Sequence, residues 1–412
     1  MKIHSFLLTT LLLAGSLLQA EPVRYTGWQL TPEAEAKLAE FAEAGTNCRL
    51  KNNKTEFVPR AQLKYTLSKN DYIHCWFDRP LYQNTGLSRF DKGTMVNEEE
   101  MKLMKKALDL GKCSGVATFL DFGHSRDSFF NNCGAYNIRF HGEASVNYFR
   151  KNPNYSEFAE KLISIPGAFR FNGKSVMTLY PSKLDTSYVK DVKKSIGKKY
   201  ADKILVVPYV YFYNKHKFSK IKPLTASDIE MMAEDLCNSL RVADGIHIHG
   251  EQFVFKNIVD NAFGFKVMLP ILNKIFSDPE FKNKFLSYGA IQGLENQYRW
   301  IPSRNSVGVA TLRNEMEFVA ALRPDVCLLP EWDEVNENTC YRPMVNTGWS
   351  SLRMLRHFAE KIRGEKFTAF PGDDLSIPNM ILCYRRRLLA GETAEFQVTN
   401  IPDQTPERIY SV

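Results

Sequence analysis

An apolar run that ends in a cluster of carboxylates is the part of this sequence best suited to chemistry. The segment from Asp325 to Thr339 reads DVCLLPEWDEVNENT, and its acidic residues after the run are Glu331, Asp333, Glu334 and Glu337. Hydrolysis of a glycosidic bond needs one protonated carboxyl group as the acid and one ionised carboxylate as nucleophile or base. Glu334 and Glu337 are three residues apart, so a helical turn would make their side chains neighbours. The cluster is a candidate for this chemistry, although a single loop glutamate is more typically a solvated or capping residue.

A second polar group lies in the run DGIHIHGE. His247, His249 and Glu251 alternate along a predicted strand and therefore share one of its faces, whereas Ile246 and Ile248 take the other. We interpret the polar face as the lining of a sugar cleft. A metal site of two histidines and one carboxylate, and structural histidines with hydrogen-bond partners, are the alternatives.

A third polar loop and several aromatic residues complete the candidates. Asp121 follows the strand-like run Gly115 to Leu120, with His124 and Arg126 close behind, and Arg126 is equally typical of a surface ion pair. Aromatic faces suit the apolar CH patches of sugar rings. The aromatic candidates are Trp300, Trp332, Trp349, Tyr211 and Tyr298. Most aromatic side chains lie in protein cores, so core packing is the alternative for each.

The elements that would position these residues alternate between strands and helices. The predicted strands are Tyr72–Phe77, Gly115–Leu120, Ser175–Tyr180, Ile204–Phe212, Gly245–Ile248, Gly289–Leu294 and Val326–Leu329. The predicted helices are Thr31–Ala44, Asn97–Leu110, Tyr155–Ile163, Ser187–Tyr200, Ser227–Leu240, Arg313–Leu322 and Ser350–Lys361. This alternation is typical of a parallel sheet covered by helices. We predict an α/β fold, a (β/α)8 TIM barrel with one strand weak or missing near the N-terminus, and an open doubly wound sheet is the alternative.

The pattern changes towards the C-terminus. MILCYRRRLL and AEFQVTNI are typical of antiparallel strands around Ala390 and Gly391. We therefore divide the chain into a signal peptide over 1–20, a barrel domain over 21–368 and a small C-terminal β appendage over 369–412. In a barrel, catalytic groups lie on the loops after the carboxyl ends of the strands. The acids at Asp121, at Glu251 and around Glu334 all follow predicted strands, so they would converge on one face.

Composition restricts the function further. Lys2, the apolar run Phe6 to Leu13 and the sequence Leu18-Gln19-Ala20 are typical of a secretory signal peptide, so we expect a secreted or periplasmic protein. No later run is long enough to span a membrane. The formal net charge of +8 is modest for 412 residues, and no nucleic-acid recognition motif is present. No glycine-rich phosphate loop follows a strand, so we expect no nucleotide and no other cofactor.

Eight cysteines occur in a chain for which export permits disulfides. Cys113 and Cys133 flank one loop and are a plausible pair, whereas Cys327 lies inside an apolar strand and is typical of a buried thiol. No CxxC motif is present, which argues against a structural zinc site.

The acidic loop resembles those of two glycoside hydrolase families. Residues Glu331 to Thr339 resemble the TWND-aromatic-GES loop of family 71 α-1,3-glucanases and, more closely, the WNEW-x-EGT loop of family 99 endo-α-mannosidases. Ile165 to Tyr180, GVATFLD and DGIHIHGE resemble further family 71 segments in the same order, so that the resemblance spans roughly residues 115–360. The sequence departs from these patterns at Val335 and Asn336.

The resemblance implies a secreted glycoside hydrolase that cleaves an α-linked polysaccharide or glycan. By position, Glu334 and Glu337 would be the catalytic pair, and Asp121 and Glu251 would contact the sugar. We also predict substrate contacts at His124, His247, His249, Trp300 and Trp332, with no metal. The alternatives are a metal-dependent hydrolase using His247, His249 and Glu251, and a non-catalytic carbohydrate-binding barrel.

Overall fold

The fold is known from a computed structural model of the chain. It describes residues 29–44, 54–60, 98–119, 130, 133–146, 154–180, 186–210, 223–249, 262–293, 309–332, 339–344, 347–374, 379–384 and 388–401. The predicted signal peptide and the predicted strand Tyr72–Phe77 lie outside these residues, so both stay predictions.

Eight parallel strands close into a barrel. They are β1 (Glu56–Arg60), β2 (Gly115–Phe119), β3 (Arg139–Ser145), β5 (Lys174–Tyr180), β6 (Ile204–Val210), β7 (Gly245–His249), β8 (Phe285–Gly289) and β9 (Val326–Pro330). The short strand β4 (Arg170–Phe171) pairs antiparallel with β5. The barrel closes because β1 pairs with both β2 and β9, and β3 pairs with β5. The predicted (β/α)8 barrel is therefore confirmed.

Helices connect the strands and precede the barrel. They are α1 (Pro32–Ala44), α2 (Glu98–Leu110), α3 (Tyr155–Ser164), α4 (Thr186–Ile196), α5 (Ala226–Val242), α6 (Leu269–Ser277), α7 (Ala310–Leu322) and α8 (Ser350–Arg363). Local sequence sets several of their ends. Thr225 and Asp228 form a reciprocal capping box at the start of α5. At the end of α8, Gly364 adopts a left-handed conformation with φ of 66°, which glycine tolerates without steric cost.

The barrel separates two hydrophobic cores. Inside the lumen, Val58, Val176, Val207, Phe285 and Val326 pack together near the amino-terminal half of the strands. The alternate residues of the same strands face outward and pack against the helices. Examples of this outer core are Phe57, Phe140, Ile246, Ile248, Leu286 and Leu329. Burial on both faces is expected for a parallel sheet, and it explains why most strands read as apolar runs.

The structure differs from the sequence expectation at three strands and one cysteine pair. β1 and β3 were not expected, and β8 ends at Gly289, where the predicted strand Gly289–Leu294 begins. Each of these strands carries polar or charged residues that face the lumen, which interrupts the apolar pattern. Cys113 and Cys133 are both free, buried thiols, so the disulfide that was plausible from their sequence positions is not formed.

An antiparallel hairpin follows the barrel. Strands β10 (Met380–Tyr384) and β11 (Phe396–Asn400) pair along their whole length, which confirms the small C-terminal β appendage. Ile381 and Ile401 join the outer core of the barrel, and the Val309 amide donates a 3.2 Å hydrogen bond to Gln397 Oε1. The hairpin is therefore anchored beside the start of α7. Among the described residues, no helix is long and apolar enough to cross a membrane.

Close approach of neighbouring strands requires glycine at the start of β7. A Cβ atom at Gly245 would lie 2.6 Å from Phe285 Cβ and would also clash with the Phe285 backbone. We expect Gly245→Ala to lower the free energy of unfolding by about 1–3 kcal/mol, because the strands must separate. The matched control is Gly134→Ala, where a Cβ meets nothing within 4 Å. Denaturant unfolding of both variants checks this, and equal stability would contradict the packing argument.

Candidate active site

A buried network of charges lies at the carboxyl ends of three barrel strands. Arg60, the last residue of β1, donates from Nε to Glu143 Oε2 at 2.6 Å and from Nη1 to Glu331 Oε1. Glu143 lies on β3, and Glu331 directly follows β9. All three side chains are buried. Carboxyl ends of strands form the functional face of this fold, so the network marks the candidate site.

The charges of this network stabilise one another. Burial disfavours the charged guanidinium, but the adjacent carboxylates of Glu143 and Glu331 outweigh it and raise the pKa of Arg60 well above its ordinary value. One cation thus serves two carboxylates in a region from which water is largely excluded. Removing one partner of such a pair leaves an uncompensated buried charge, which is far more costly than loss of a surface pair.

Two tyrosines complete the contacts of the network. The Tyr209 hydroxyl on β6 donates a 2.9 Å hydrogen bond to Glu143 Oε1, so both oxygens of Glu143 accept bonds. The Arg60 guanidinium lies 4.3 Å from the centre of the Tyr180 ring, a favourable cation–π distance. The network therefore connects β1, β3, β5, β6 and β9 across the lumen.

His247 and His249 face the lumen beside this network, as the alternation of residues along β7 predicts. His247 Nδ1 is 2.8 Å from Ser287 Oγ, and its ring centre lies 4.0 Å from that of Tyr209. Burial, followed by His249 and Arg60, lowers the pKa of His247 well below its ordinary value, so the imidazole is neutral. Gly289 leaves room for both rings, because a Cβ there would lie 2.7 Å from His249 Nδ1 and 3.2 Å from His247 Nε2.

A further buried histidine lies on β3. The ring of His141 stacks on Phe169 with centroids 3.9 Å apart and planes at 17°. Burial, with a smaller contribution from Arg139, lowers the pKa of His141 to about 3. Two neutral imidazoles thus lie within the barrel.

The acidic loop begins and ends at this network. The Glu331 amide donates to the Thr339 carbonyl at 3.2 Å, and the Tyr341 amide donates to the Glu331 carbonyl at 2.9 Å. The Trp332 amide donates to the Arg60 carbonyl at 2.6 Å, which attaches this neck to β1. Residues 331–332 and 339–342 therefore form the loop neck, a hydrogen-bonded base directly above the buried charges.

The predicted site residues fall into two groups. His247, His249 and Trp332 lie within the described residues. Outside them lie Glu334, Glu337, Asp121, His124, Glu251 and Trp300. The indole of Trp332 is only 3% exposed and belongs to the outer core. Its predicted contact with sugar stays a prediction, and the ring would have to turn out of this core to stack on a substrate.

Of the three ligands of the possible metal site, only His247 and His249 are among the described residues. Among the described residues, no group of three His, Cys, Asp or Glu side chains could hold a metal ion. One nitrogen of His247 is already engaged with Ser287 Oγ. The third predicted ligand, Glu251, lies outside the described residues, so these residues give the metal alternative no support.

Sequence reasoning missed Arg60, Glu143 and Tyr209 as site residues. Arg60 ends the short run EFVPR, in which Pro59 argued against a strand inside a sheet. Glu143 lies in RFHGEAS, where polar and apolar residues alternate. That alternation is a strand signal, and its polar face carries His141 and Glu143. Reading it as lumen lining would have identified both.

Comparison with known proteins finds solved structures with a distantly similar fold. No protein-family model matches the chain, and no curated protein does. A family 99 endo-α-mannosidase from Bacteroides thetaiotaomicron matches 66% of this chain and 82% of its own, with 10% identity and a TM-score of 0.44. A family 39 glycoside hydrolase from Bacteroides cellulosilyticus WH2 matches 66% of this chain and 63% of its own, with 10% identity and a TM-score of 0.44. We draw no functional conclusion from likeness at this level.

Because Arg60 lies at the centre of the network, we expect its replacement to lower the stability of the fold strongly. Arg60→Met would leave Glu143 and Glu331 buried without their cation, and we expect the free energy of unfolding to fall by about 3–5 kcal/mol. The control is Arg139→Met, which removes a largely exposed pair with Glu56 on the same sheet and should cost about 1 kcal/mol or less. Denaturant unfolding of both variants measures the difference. A similar loss in the two variants would show that the network is not a major source of stability.

The neutral histidines predict acid sensitivity. In the unfolded chain each takes up a proton near its ordinary pKa of about 6.5, whereas the fold keeps His141 and His247 neutral. Their contribution to stability is therefore complete above pH 6.5 and is lost as the pH falls, by up to about 1.4 kcal/mol per pH unit for each histidine. Unfolding free energies between pH 8 and pH 5 test this. His141→Phe keeps the stacked ring and should lower the slope of unfolding free energy against pH by the equivalent of about one bound proton. An unchanged slope would contradict a neutral His141 in the fold.

Proposed function

We propose that this chain is a glycoside hydrolase that cleaves an α-linked polysaccharide or glycan at the carboxyl end of its barrel. Glu334 and Glu337 are the proposed catalytic carboxyl groups. One observation carries the proposal: the loop that contains them closes on a neck above the buried Arg60 network. The resemblance of residues Glu331 to Thr339 to the family 99 loop supports the same pair.

Chain connectivity limits where the proposed pair can lie. Glu334 is two residues from Trp332, and Glu337 is two residues from Thr339. A residue advances the chain by at most about 3.6 Å, so each Cα lies within roughly 7 Å of the Cα of that neighbour. This short connection supports a place for the proposed pair at the face where this fold carries its chemistry.

The proposed reaction divides two roles between the pair. One carboxyl group stays protonated and donates its proton to the leaving glycosidic oxygen. The other acts as a nucleophile, or as the base that activates water, depending on the distance between the two carboxyl groups. A distance of about 5–5.5 Å corresponds to retention of anomeric configuration, and a distance of about 6.5–9.5 Å corresponds to inversion.

The surroundings of the pair supply binding and electrostatics. His247 and His249 line the lumen, and imidazole nitrogens can form hydrogen bonds with sugar hydroxyls. Asp121, His124, Glu251 and Trp300 are the further proposed substrate contacts. The buried Arg60 network holds the loop neck in place, so its proposed role is to position the loop.

Export is part of the proposal. The first twenty residues have the charge, apolar run and cleavage sequence of a signal peptide. A secreted or periplasmic enzyme would meet polysaccharide or glycan outside the cytoplasm. Amino-terminal sequencing of the protein from its producing cell tests this, and a chain that still begins at Met1 would contradict it.

Isosteric replacement of the proposed pair tests the function. We expect Glu334→Gln and Glu337→Gln each to lower kcat on a cleaved α-linked glycan by at least about 100-fold, because each removes a group used in proton transfer or attack. Glu317→Gln on α7, which removes only a surface ion pair with Lys361, is the control and should keep full activity. Release of reducing ends from a panel of α-linked polysaccharides is the measurement.

The same assay separates the alternatives. Near wild-type rates in both glutamine variants would overturn the assignment of the pair. Loss of activity on exhaustive chelation, with recovery on adding metal, would favour a metal-dependent hydrolase. Binding of a glycan without release of any sugar would identify a non-catalytic carbohydrate-binding barrel.

A further inference from the structure

The outward face of the C-terminal hairpin is apolar. Its register pairs Met380 with Asn400, Leu382 with Val398 and Tyr384 with Phe396, and these six residues form the hairpin face. Five of the six are large hydrophobic residues, each 50–58% exposed. The side facing the barrel is more polar, because it carries Gln397 and Thr399. A solvated strand normally shows the opposite pattern, so the hairpin face is built to be covered.

The hairpin face and its turn are rich in exposed apolar side chains. The ring centres of Tyr384 and Phe396 are 6.1 Å apart across the strands. Leu388 and Leu389, which precede the turn at Gly391, are also exposed. Seven such side chains are each 40–76% exposed. At about 150 Å² of surface for each side chain, the lower end of the range for aromatic residues, they present roughly 600 Å² in total. That is most of the roughly 800 Å² that each partner contributes to a stable protein interface.

The rest of the described surface offers no second patch of this kind. Eight large hydrophobic side chains among the described residues are exposed, and seven of them belong to the hairpin face and its turn. The eighth, Met231, is isolated on α5. A head-to-tail contact between copies would need a second, different apolar surface to receive the hairpin. A symmetric contact between two hairpin faces needs no second surface, and it produces a dimer.

We propose that the hairpin face binds the hairpin face of a second copy of this chain, forming a two-fold symmetric dimer. None of the six residues of the hairpin face is charged, so contact between two such faces buries no charged side chain of the face itself. The two-stranded hairpin is marginal as an isolated sheet, and the second copy would complete a layer over it. The interface lies outside the barrel lumen, so it forms independently of the proposed glycosidase activity.

Substitution at the centre of the face tests the dimer. The purified full-length mature protein should sediment at twice the mass of one chain at micromolar concentration. We expect the double variant Leu382→Lys and Val398→Lys to sediment as a monomer, because the Kd of the dimer should rise about 100-fold or more. Met231→Lys, which adds the same charge at an isolated exposed hydrophobic residue, is the matched control and should stay dimeric.

Two further measurements keep the test decisive. The milder double variant Leu382→Thr and Val398→Thr retains strand propensity and should also lose the dimer while its circular dichroism is unchanged. Amide hydrogen exchange in peptides covering β10 and β11 should slow as wild-type protein is concentrated. A wild-type protein that stays monomeric would overturn the proposal, and so would a monomer that sediments with lipid vesicles. A dimer that persists in both hairpin variants would also overturn it.

Discussion

The ion pairs of Arg60 are the interaction on which the rest of the site depends. A single guanidinium inside the barrel holds a carboxylate from β3 and a second one from the end of β9. Without it, two buried acidic side chains would lie side by side with no cation to compensate them. The same residue receives the Trp332 amide at its carbonyl oxygen, so backbone and side chain together fix the start of the acidic loop. The interior charge thus determines where the loop leaves the barrel.

The lumen is divided along its length by polarity. Valine and phenylalanine side chains fill the part near the strand beginnings, whereas arginine, glutamate, tyrosine and histidine fill the part near the strand ends. The apolar part excludes water from below, and electrostatic interactions are stronger where water is scarce. Fixed charges in such surroundings need little reorganisation when charge develops on a bound molecule. The division gives the upper lumen an environment suited to catalysis.

The sequence predicts the barrel well and its charged interior poorly, for the same physical reason. Strands buried on both faces are apolar runs, and β5, β6, β7 and β9 were expected at or near their observed positions. β1 and β3 were not expected, because Pro59 argues against a strand inside a sheet and because His141 and Glu143 interrupt the apolar pattern of β3. Arg60 and Glu143 of the network lie on these two strands, so local pattern fails where side chains serve the site instead of the core. Glu331 belongs to the acidic cluster recognised in the sequence, whereas its arginine partner is 271 positions away in sequence.

The loop neck has a consequence for how this protein can diversify. A loop whose two ends are bonded to each other is a closed module, and residues added between them do not disturb the strands below. Doubling the length of such a loop costs only about 0.6 kcal/mol in closure entropy. Residues can therefore be inserted between Trp332 and Thr339, around Glu334 and Glu337, while the barrel stays intact. Under the proposed function, such insertions would change which glycan reaches the proposed pair, with the folding of the scaffold unaffected.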